Sequence, residues 1–267
     1  MIAIGWRNMP TVREIRFHRR EDPPLTVLTA YDKSTASIAD AAGVDIILVG
    51  DSVGNTMLGY ENTLPVTIEE MISHTSAVVR GVKNALVVTD LPFLSIGINE
   101  SSSVMNAGKI IKKGGSDAVK IESGPHTVKI TKKMVDIGIP VMAHVGLTPQ
   151  RILQLGGNFQ QGTDEKSAEV IIDLAKKHED SGAFAIVLEH IPSDLAEEIT
   201  NMLEIPTIGI GAGPSTRGQV LVVDDVIGLS RQIPPFAKQF GDVRSEMTNA
   251  IEMYINSVRK EEFPPKN

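Results

Sequence analysis

The 267-residue sequence contains no cysteine. That excludes a disulfide framework, a thiolate zinc site and a thiol nucleophile, and it fits a reducing compartment. No apolar run approaches the roughly 18 residues needed to cross a bilayer. The first twenty residues, MIAIGWRNMPTVREIRFHRR, have no apolar stretch of signal-peptide length. Positive charge is short as well: 26 Lys and Arg stand against 33 Asp and Glu, a net charge of −7. A binder of phosphate backbones needs a basic face, which this balance does not supply. The expectation is a soluble, cytoplasmic protein that binds neither nucleic acid nor membrane. No linker, repeat or low-complexity stretch divides the chain, and one domain spanning 1–267 is expected, with an N-terminal segment over 1–24.

The chain holds a regular alternation. Short Val- and Ile-rich runs stand at LTVLTAY (25–31), DIILVG (45–50), ALVVTD (85–90), AVKIE (118–122), PVMAHV (140–145), FAIVLEH (184–190) and PTIGIG (206–211), with an eighth, less clear, around VIGL (226–229). Near-continuous apolar runs are expected of strands buried on both faces of a parallel sheet. Segments of helical period lie between them, over Ile68–Arg80, Val104–Lys113 (ending at Gly114-Gly115, a C-terminal cap) and Ala168–Asp180. Seven or eight such βα units predict an α/β fold, a (β/α)8 TIM barrel, with a doubly wound open sheet as the alternative. Beyond the eighth strand, apolar residues at helical spacing predict one long C-terminal helix over 236–260. Its stripe of Phe240, Val243, Met247, Ile251, Tyr254 and Val258 would pack on the barrel or on a neighbouring subunit.

Ionisable residues interrupt the strands near their C-terminal ends: Asp51, Asp90, Lys120 and Glu122, His144, and Glu189. In a barrel those ends meet at one mouth, where active sites are built. Lys120 and Glu122 are two apart and share a face of their strand. Singly, each has a structural reading: Asp as a helix cap, Lys120 with Glu122 as an ion pair, His144 as a loop cap, Glu189 at a frayed strand end. Together they place charge from five strands on one rim, and buried charge costs several kcal/mol unless paired or bound. Asp51, Asp90 and Glu122 are hard oxygen donors that suit Mg2+ and not zinc. GIGAG (209–213) has the composition of a phosphate-cradling loop and equally of a tight strand-to-loop turn.

TAYD (29–32), VGDSVGNTMLGYENTLPVTIEEM (49–71), TDLPF (89–93), DAVKIESG (117–124), AHVGLTPQ (143–150), VLEHIP (187–192) and IGIGAGP (208–214) resemble the ketopantoate hydroxymethyltransferase family, in order from about Thr11 to Gly241. The resemblance implies a barrel of the phosphoenolpyruvate/pyruvate-like kind. It implies transfer of a one-carbon unit from methylene-tetrahydrofolate to 3-methyl-2-oxobutanoate, giving 2-dehydropantoate through a Mg2+-stabilised enolate in pantothenate and coenzyme A biosynthesis. Asp51 and Asp90 would bind Mg2+, with Glu122 as a third carboxylate, directly or through water. Asp51, Ser52, Asp90 and Lys120 would contact the oxo acid, His144 would lie beside it, and Glu189 would accept the proton. The resemblance also implies a homo-oligomer, a decamer.

Two segments depart from the family pattern. NFQQGTD (158–164) carries no basic residue where the family has an aromatic–Lys pair and a further basic residue, and Val223-Asp224-Asp225 replaces a His-Asp. The resemblance therefore names no residue for the folate side. Competing readings are a Mg2+-dependent lyase or mutase of the isocitrate lyase and phosphoenolpyruvate mutase kind, a Schiff-base aldolase using Lys120, and a non-catalytic barrel that binds a 2-oxo acid. The first commonly carries a cysteine-containing loop, which this chain lacks. The last predicts loss of a rim residue, and all are present.

Overall fold

The computed structural model describes residues 10–265. The chain forms two compact units, divided after Leu221. In the first, eight parallel strands close into a barrel in sequence order: β1 (Leu25–Thr29), β2 (Ile46–Val49), β3 (Leu86–Asp90), β4 (Ala118–Glu122), β5 (Val141–Gly146), β6 (Ala185–Glu189), β7 (Thr207–Ile210) and β8 (Gly218–Leu221). Its helices are α1 (Val12–Arg16), α2 (Lys33–Ala42), α3 (Ile68–Val79), α4 (Glu100–Lys109), α5 (Thr127–Asp136), α6 (Ile152–Leu155), α7 (Glu165–Asp180) and α8 (Ser193–Met202). The pairing of β1 with β8, Val27 opposite Val220, closes the ring and rules out the open sheet.

Side-chain alternation decides which residues enter the barrel. Ile46 and Leu48, Leu86 and Val88, Ala118, Met142, Val187, Ile208 and Val220 form one buried cluster, joined by Ile15 of α1. The intervening residues Ala143, Val145, Ile186 and Leu188 pack outward, with Ile171 and Ala175 of α7 and Leu195, Ala196 and Ile199 of α8. Each fully buried aliphatic side chain contributes roughly 1.5–3 kcal/mol. Followed toward the C-terminal end, the inward parity turns from apolar to ionisable: Val88 to Asp90, Ala118 to Lys120 and Glu122, Met142 to His144, Val187 to Glu189. Strand register sets Asp90 beside Lys120 and Glu122 beside His144.

The helices start and stop where local chemistry directs. Thr67 and Glu70 form a capping box on α3, with Glu70 Oε2 accepting from Thr67 N at 2.7 Å. Gly115, at φ 83°, caps the helical stretch that follows α4, as the Gly114-Gly115 pair predicts. Asp164, the last residue of the divergent loop, caps α7.

The eighth strand is a correction. It is GQVL at Gly218–Leu221, not VIGL. Gly218 fits because a Cβ there would meet Leu25 O and the Ile208 side chain, each at 2.7 Å. Val226 and Ile227 belong instead to α9 (Val223–Ile227), in the second unit, where Asp224 and Asp225 fill an N-terminal turn and Gly228 ends the helix at φ 75°. The C-terminal helix is also shorter than its apolar stripe predicts: α10 runs Val243–Arg259. Gly241 breaks the stripe, and Asp242 caps the true start by accepting from Ser245 N at 3.2 Å. Of the expected N-terminal segment, residues 1–9 lie outside the described residues.

His178 on α7 is buried, and both of its ring nitrogens are engaged. Nε2 meets Ser123 Oγ at 2.8 Å and Nδ1 meets Thr131 Oγ1 at 2.9 Å, tying the end of β4 to α5 and α7. Burial pushes its pKa down to about 4 from 6.5, so the ring is neutral when folded and takes a proton more readily when unfolded. Its contribution is complete above the unfolded value and is lost as pH falls toward the folded one. The stability advantage of wild type over His178→Gln should therefore shrink by about 3 kcal/mol between pH 7.5 and pH 4. Urea unfolding at both pH values measures it, and a pH-independent difference would contradict the assignment.

Candidate active site

β2 hands the chain to a tight turn that carries Asp51 and Ser52, followed by a π-helical turn over Gly54–Leu58. Gly50 lets this turn lie against its neighbour, since a Cβ there would sit 2.7 Å from Ser52 Oγ and 3.5 Å from Asp90 Oδ2. Asp51 N donates to Asp90 Oδ2 at 3.1 Å. Ser52 Oγ lies 2.8 Å from the hydroxyl of Tyr31, in the TAYD segment after β1. Lys120 Nζ, from the adjacent strand, stands 2.9 Å from Asp90 Oδ1.

The chain of contacts continues across the mouth. Lys120 Nζ approaches His144 Nδ1 at 3.4 Å, and His144 Nε2 stands 3.1 Å from Glu189 Oε2. An ammonium can only donate, which assigns Nδ1 as acceptor and leaves the ring hydrogen on Nε2, the ring nitrogen on the Glu189 side. Asp90, Lys120, His144 and Glu189, from four consecutive strands, thus form one connected line. The residue after Glu189, His190, has φ 47°, a left-handed conformation that a non-glycine residue seldom takes.

Electrostatics follow from burial. Asp51 is raised to about 7 by loss of solvent first and by the neighbouring Asp90 charge second. Glu122 is raised well above its ordinary value by burial and then by Asp51. Burial works against the Lys120 ammonium, but Asp90, Asp51 and Glu122 outweigh it and hold the lysine protonated. His144 is pushed down by burial and then by Lys120, and so is neutral.

The cluster suits a hard divalent cation, though not as a ready-made cage. Among the described residues no three His, Asp or Glu side chains gather as metal ligands. Asp51 and Asp90 are in direct contact, whereas Glu122 is joined to Asp51 through Gln150. Mg2+ needs only one or two carboxylates, with waters and substrate oxygens completing its shell. A buried carboxylate whose proton affinity is raised by a like charge is relieved by a cation placed beside it. The donor set therefore fits.

All six ionisable positions expected at the rim are brought together, with Ser52 beside them. Sequence reasoning missed Gln150, which bonds to two of the carboxylates, and Tyr31, which holds Ser52. Both lie within motifs quoted for the resemblance, but neither carries charge, and charge was the signal followed. GIGAG is accounted for by packing: Gly211 and Gly213 have φ of 60° and 79°, and a Cβ on Gly213 would collide with Ser193. The 158–164 loop reaches the rim, with Gln161 N donating to His190 O at 3.0 Å.

A family profile described as ketopantoate hydroxymethyltransferase matches residues 10–266. The chain belongs to the ketopantoate hydroxymethyltransferase family. It is 58% identical over 259 residues to a 3-methyl-2-oxobutanoate hydroxymethyltransferase of Halobacterium salinarum, covering 96% of this chain and 94% of that one. A protein of the same name from a Picosynechococcus species is 51% identical over 256 residues, covering 96% and 97%. This is therefore an enzyme of the hydroxymethyltransferase family. Among solved structures, 2,3-dimethylmalate lyase superposes with a TM-score of 0.61 at 16% identity, covering 98% of this chain and 90% of that one. Phosphoenolpyruvate phosphomutase from Streptomyces platensis subsp. rosaceus gives 0.62 at 12%, covering 94% and 87%. These likenesses show that the chain shares its barrel fold with those proteins.

Gly50→Ala tests the close turn in this ketopantoate hydroxymethyltransferase family member. The added methyl must displace Ser52 Oγ, and kcat/KM for hydroxymethyl transfer should fall by about 100-fold, as expected for a misplacement near 1 Å. Circular dichroism should show the fold retained. Unchanged kinetics would mean that Ser52 is not held for the reaction.

Proposed function

We propose that the chain transfers a hydroxymethyl unit from methylene-tetrahydrofolate to 3-methyl-2-oxobutanoate, giving 2-dehydropantoate for pantothenate and coenzyme A synthesis. The observation that carries this reading is the Asp90–Lys120–His144–Glu189 line. It provides a fixed positive charge at one end and a carboxylate base at the other. Asp51 and Asp90 would hold Mg2+, with Glu122 directly or through water, and the ion would act as a Lewis acid toward the keto acid.

The chain's own residues account for the remaining steps. Lys120, anchored on Asp90, offers its ammonium to the carboxylate or oxo group of the substrate. Ser52, oriented by Tyr31, supplies a hydroxyl at the same end. His144 Nε2, 3.1 Å from Glu189 Oε2, would turn its hydrogen to that oxygen when substrate binds and so orient the carboxylate, whose other oxygen, Oε1, takes the proton from the branched carbon. The resulting enolate forms a carbon–carbon bond to the methylene carbon of the folate as the first of that carbon's two carbon–nitrogen bonds breaks, and the second breaks as water attacks, the protons released by substrate and water going to the two freed nitrogens. Water supplies the hydroxyl, and tetrahydrofolate departs. Cytoplasmic location and a homo-oligomeric assembly, a decamer, belong to the same reading.

A Schiff-base aldolase would need Lys120 as a free amine, and its acidic surroundings oppose that. Borohydride should trap no adduct between Lys120 and 3-methyl-2-oxobutanoate. Lys120→Arg keeps the charge but not the reach or shape of the ammonium, and activity should fall by about 100-fold or more. A trapped adduct would overturn the charge role.

Glu189→Gln separates proton removal from binding. The variant should still bind Mg2+ and 3-methyl-2-oxobutanoate, yet lose exchange of the branched-carbon proton with deuterated solvent, by about 100-fold or more. NMR follows that exchange without the folate donor. Exchange at the wild-type rate would remove Glu189 as the base and direct attention to His144.

A further inference from the structure

Gln150 touches more of the cluster than any role assigned so far requires. It follows β5 in a 3-10 turn, Pro149–Arg151, which Arg151 N closes by donating to Thr148 O at 2.8 Å. Its side-chain Nε2 has two hydrogens and both are used, one on Asp51 Oδ2 at 2.8 Å and one on Leu91 O at 2.9 Å. Its backbone N–H lies between the two oxygens of Glu122, at 3.2 Å from each. Leu91 N in turn donates to Lys120 O at 3.0 Å. One buried residue after β5 therefore joins the carboxylate after β2, the main chain after β3 and the carboxylate that ends β4.

Geometry limits what else could fill this place. A water bridging Asp51 to Leu91 O would satisfy both acceptors but would be free to leave or turn. The amide is fixed by its own backbone, which Glu122 holds. It is also neutral at every working pH, so its donors remain as the charges around it change. Without them Asp51 would lose its side-chain donor and become free to rotate toward a proton or toward Lys120. Groups that orient metal-binding carboxylates in this way contribute to cation affinity without contacting the ion.

We propose that Gln150 is a positioning residue, which holds Asp51 and Glu122 apart and oriented and so sets the affinity of the barrel mouth for a divalent cation. This rests on the reading above, in which Asp51 belongs to the cation site.

Gln150→Met keeps the length and the backbone N–H on Glu122 while removing both side-chain donors. Mn2+ serves as the probe, titrated without substrate and followed by the electron paramagnetic resonance signal of the free ion. The melting temperature of the metal-free protein is recorded beside it. The dissociation constant for Mn2+ should rise by about 10- to 100-fold. The Mg2+ concentration giving half-maximal activity should rise in parallel, with kcat at saturating Mg2+ reduced much less. Should Gln150→Met fail to fold, Gln150→Asn carries the same test, because it keeps an amide that is one methylene too short to reach Asp51 and Leu91 together. Wild-type Mn2+ affinity in a folded variant would overturn the proposal and make Gln150 a structural strut. Absence of Mn2+ binding by the wild-type protein would overturn the cation reading itself, and this inference with it.

Discussion

The mouth of the barrel depends on one buried ammonium. Lys120 contacts Asp90 directly, and its charge is felt by Asp51, Glu122 and His144. Removing several carboxylates from water is costly, and one lysine cannot neutralise them all. The shortfall appears in Asp51 and Glu122, which both hold their protons more tightly than free carboxylates do. A fold that only needed stability would fill these inward positions with aliphatic side chains, as it does one layer lower with Val88, Ala118, Met142 and Val187. The raised proton affinity of Asp51 and Glu122 is what the proposed cation would relieve by taking the place of the protons.

Much of this was legible in the sequence because a parallel barrel writes its geometry into a two-residue period. Once AVKIE was read as a strand, Lys120 and Glu122 had to share a face. Asp90, His144 and Glu189 then joined them through the common direction of the strands. Regions without that period were harder to read. VIGL has the composition of a strand, yet the acidic turn before it and Gly228 after it make it part of a helix. GQVL is short and begins with the glycine that close packing requires, so it gave no apolar run to notice. The C-terminal stripe continued through Phe240 although Gly241-Asp242 supplies a break and a cap.

The uncharged members of the site escaped for a different reason. Gln150 and Tyr31 act through hydrogen bonds whose partners are remote in sequence: Gln150 to Asp51, and Tyr31 to Ser52. No local pattern encodes such a bond. It exists only after the barrel has closed and set the loops after β1, β2 and β5 around one opening.

The same closure separates the site into two halves joined by Lys120. Asp51 and Asp90 lie after β2 and at the end of β3, where negative charge accumulates. Glu189 lies at the end of β6 beside a histidine kept neutral by burial and by the ammonium. A neutral imidazole is the form that serves here. Protonated, it would place a second cation against Lys120, whose charge already lowers its proton affinity. Neutral, it keeps Nε2 within 3.1 Å of Glu189 Oε2 without adding a second positive charge beside Lys120. The proposed reaction makes opposite demands at its two ends, electron withdrawal at the oxo acid's oxygens and a free electron pair at its branched carbon. A lysine linked through Asp90 to one half and through His144 to the other lets a single buried charge serve both.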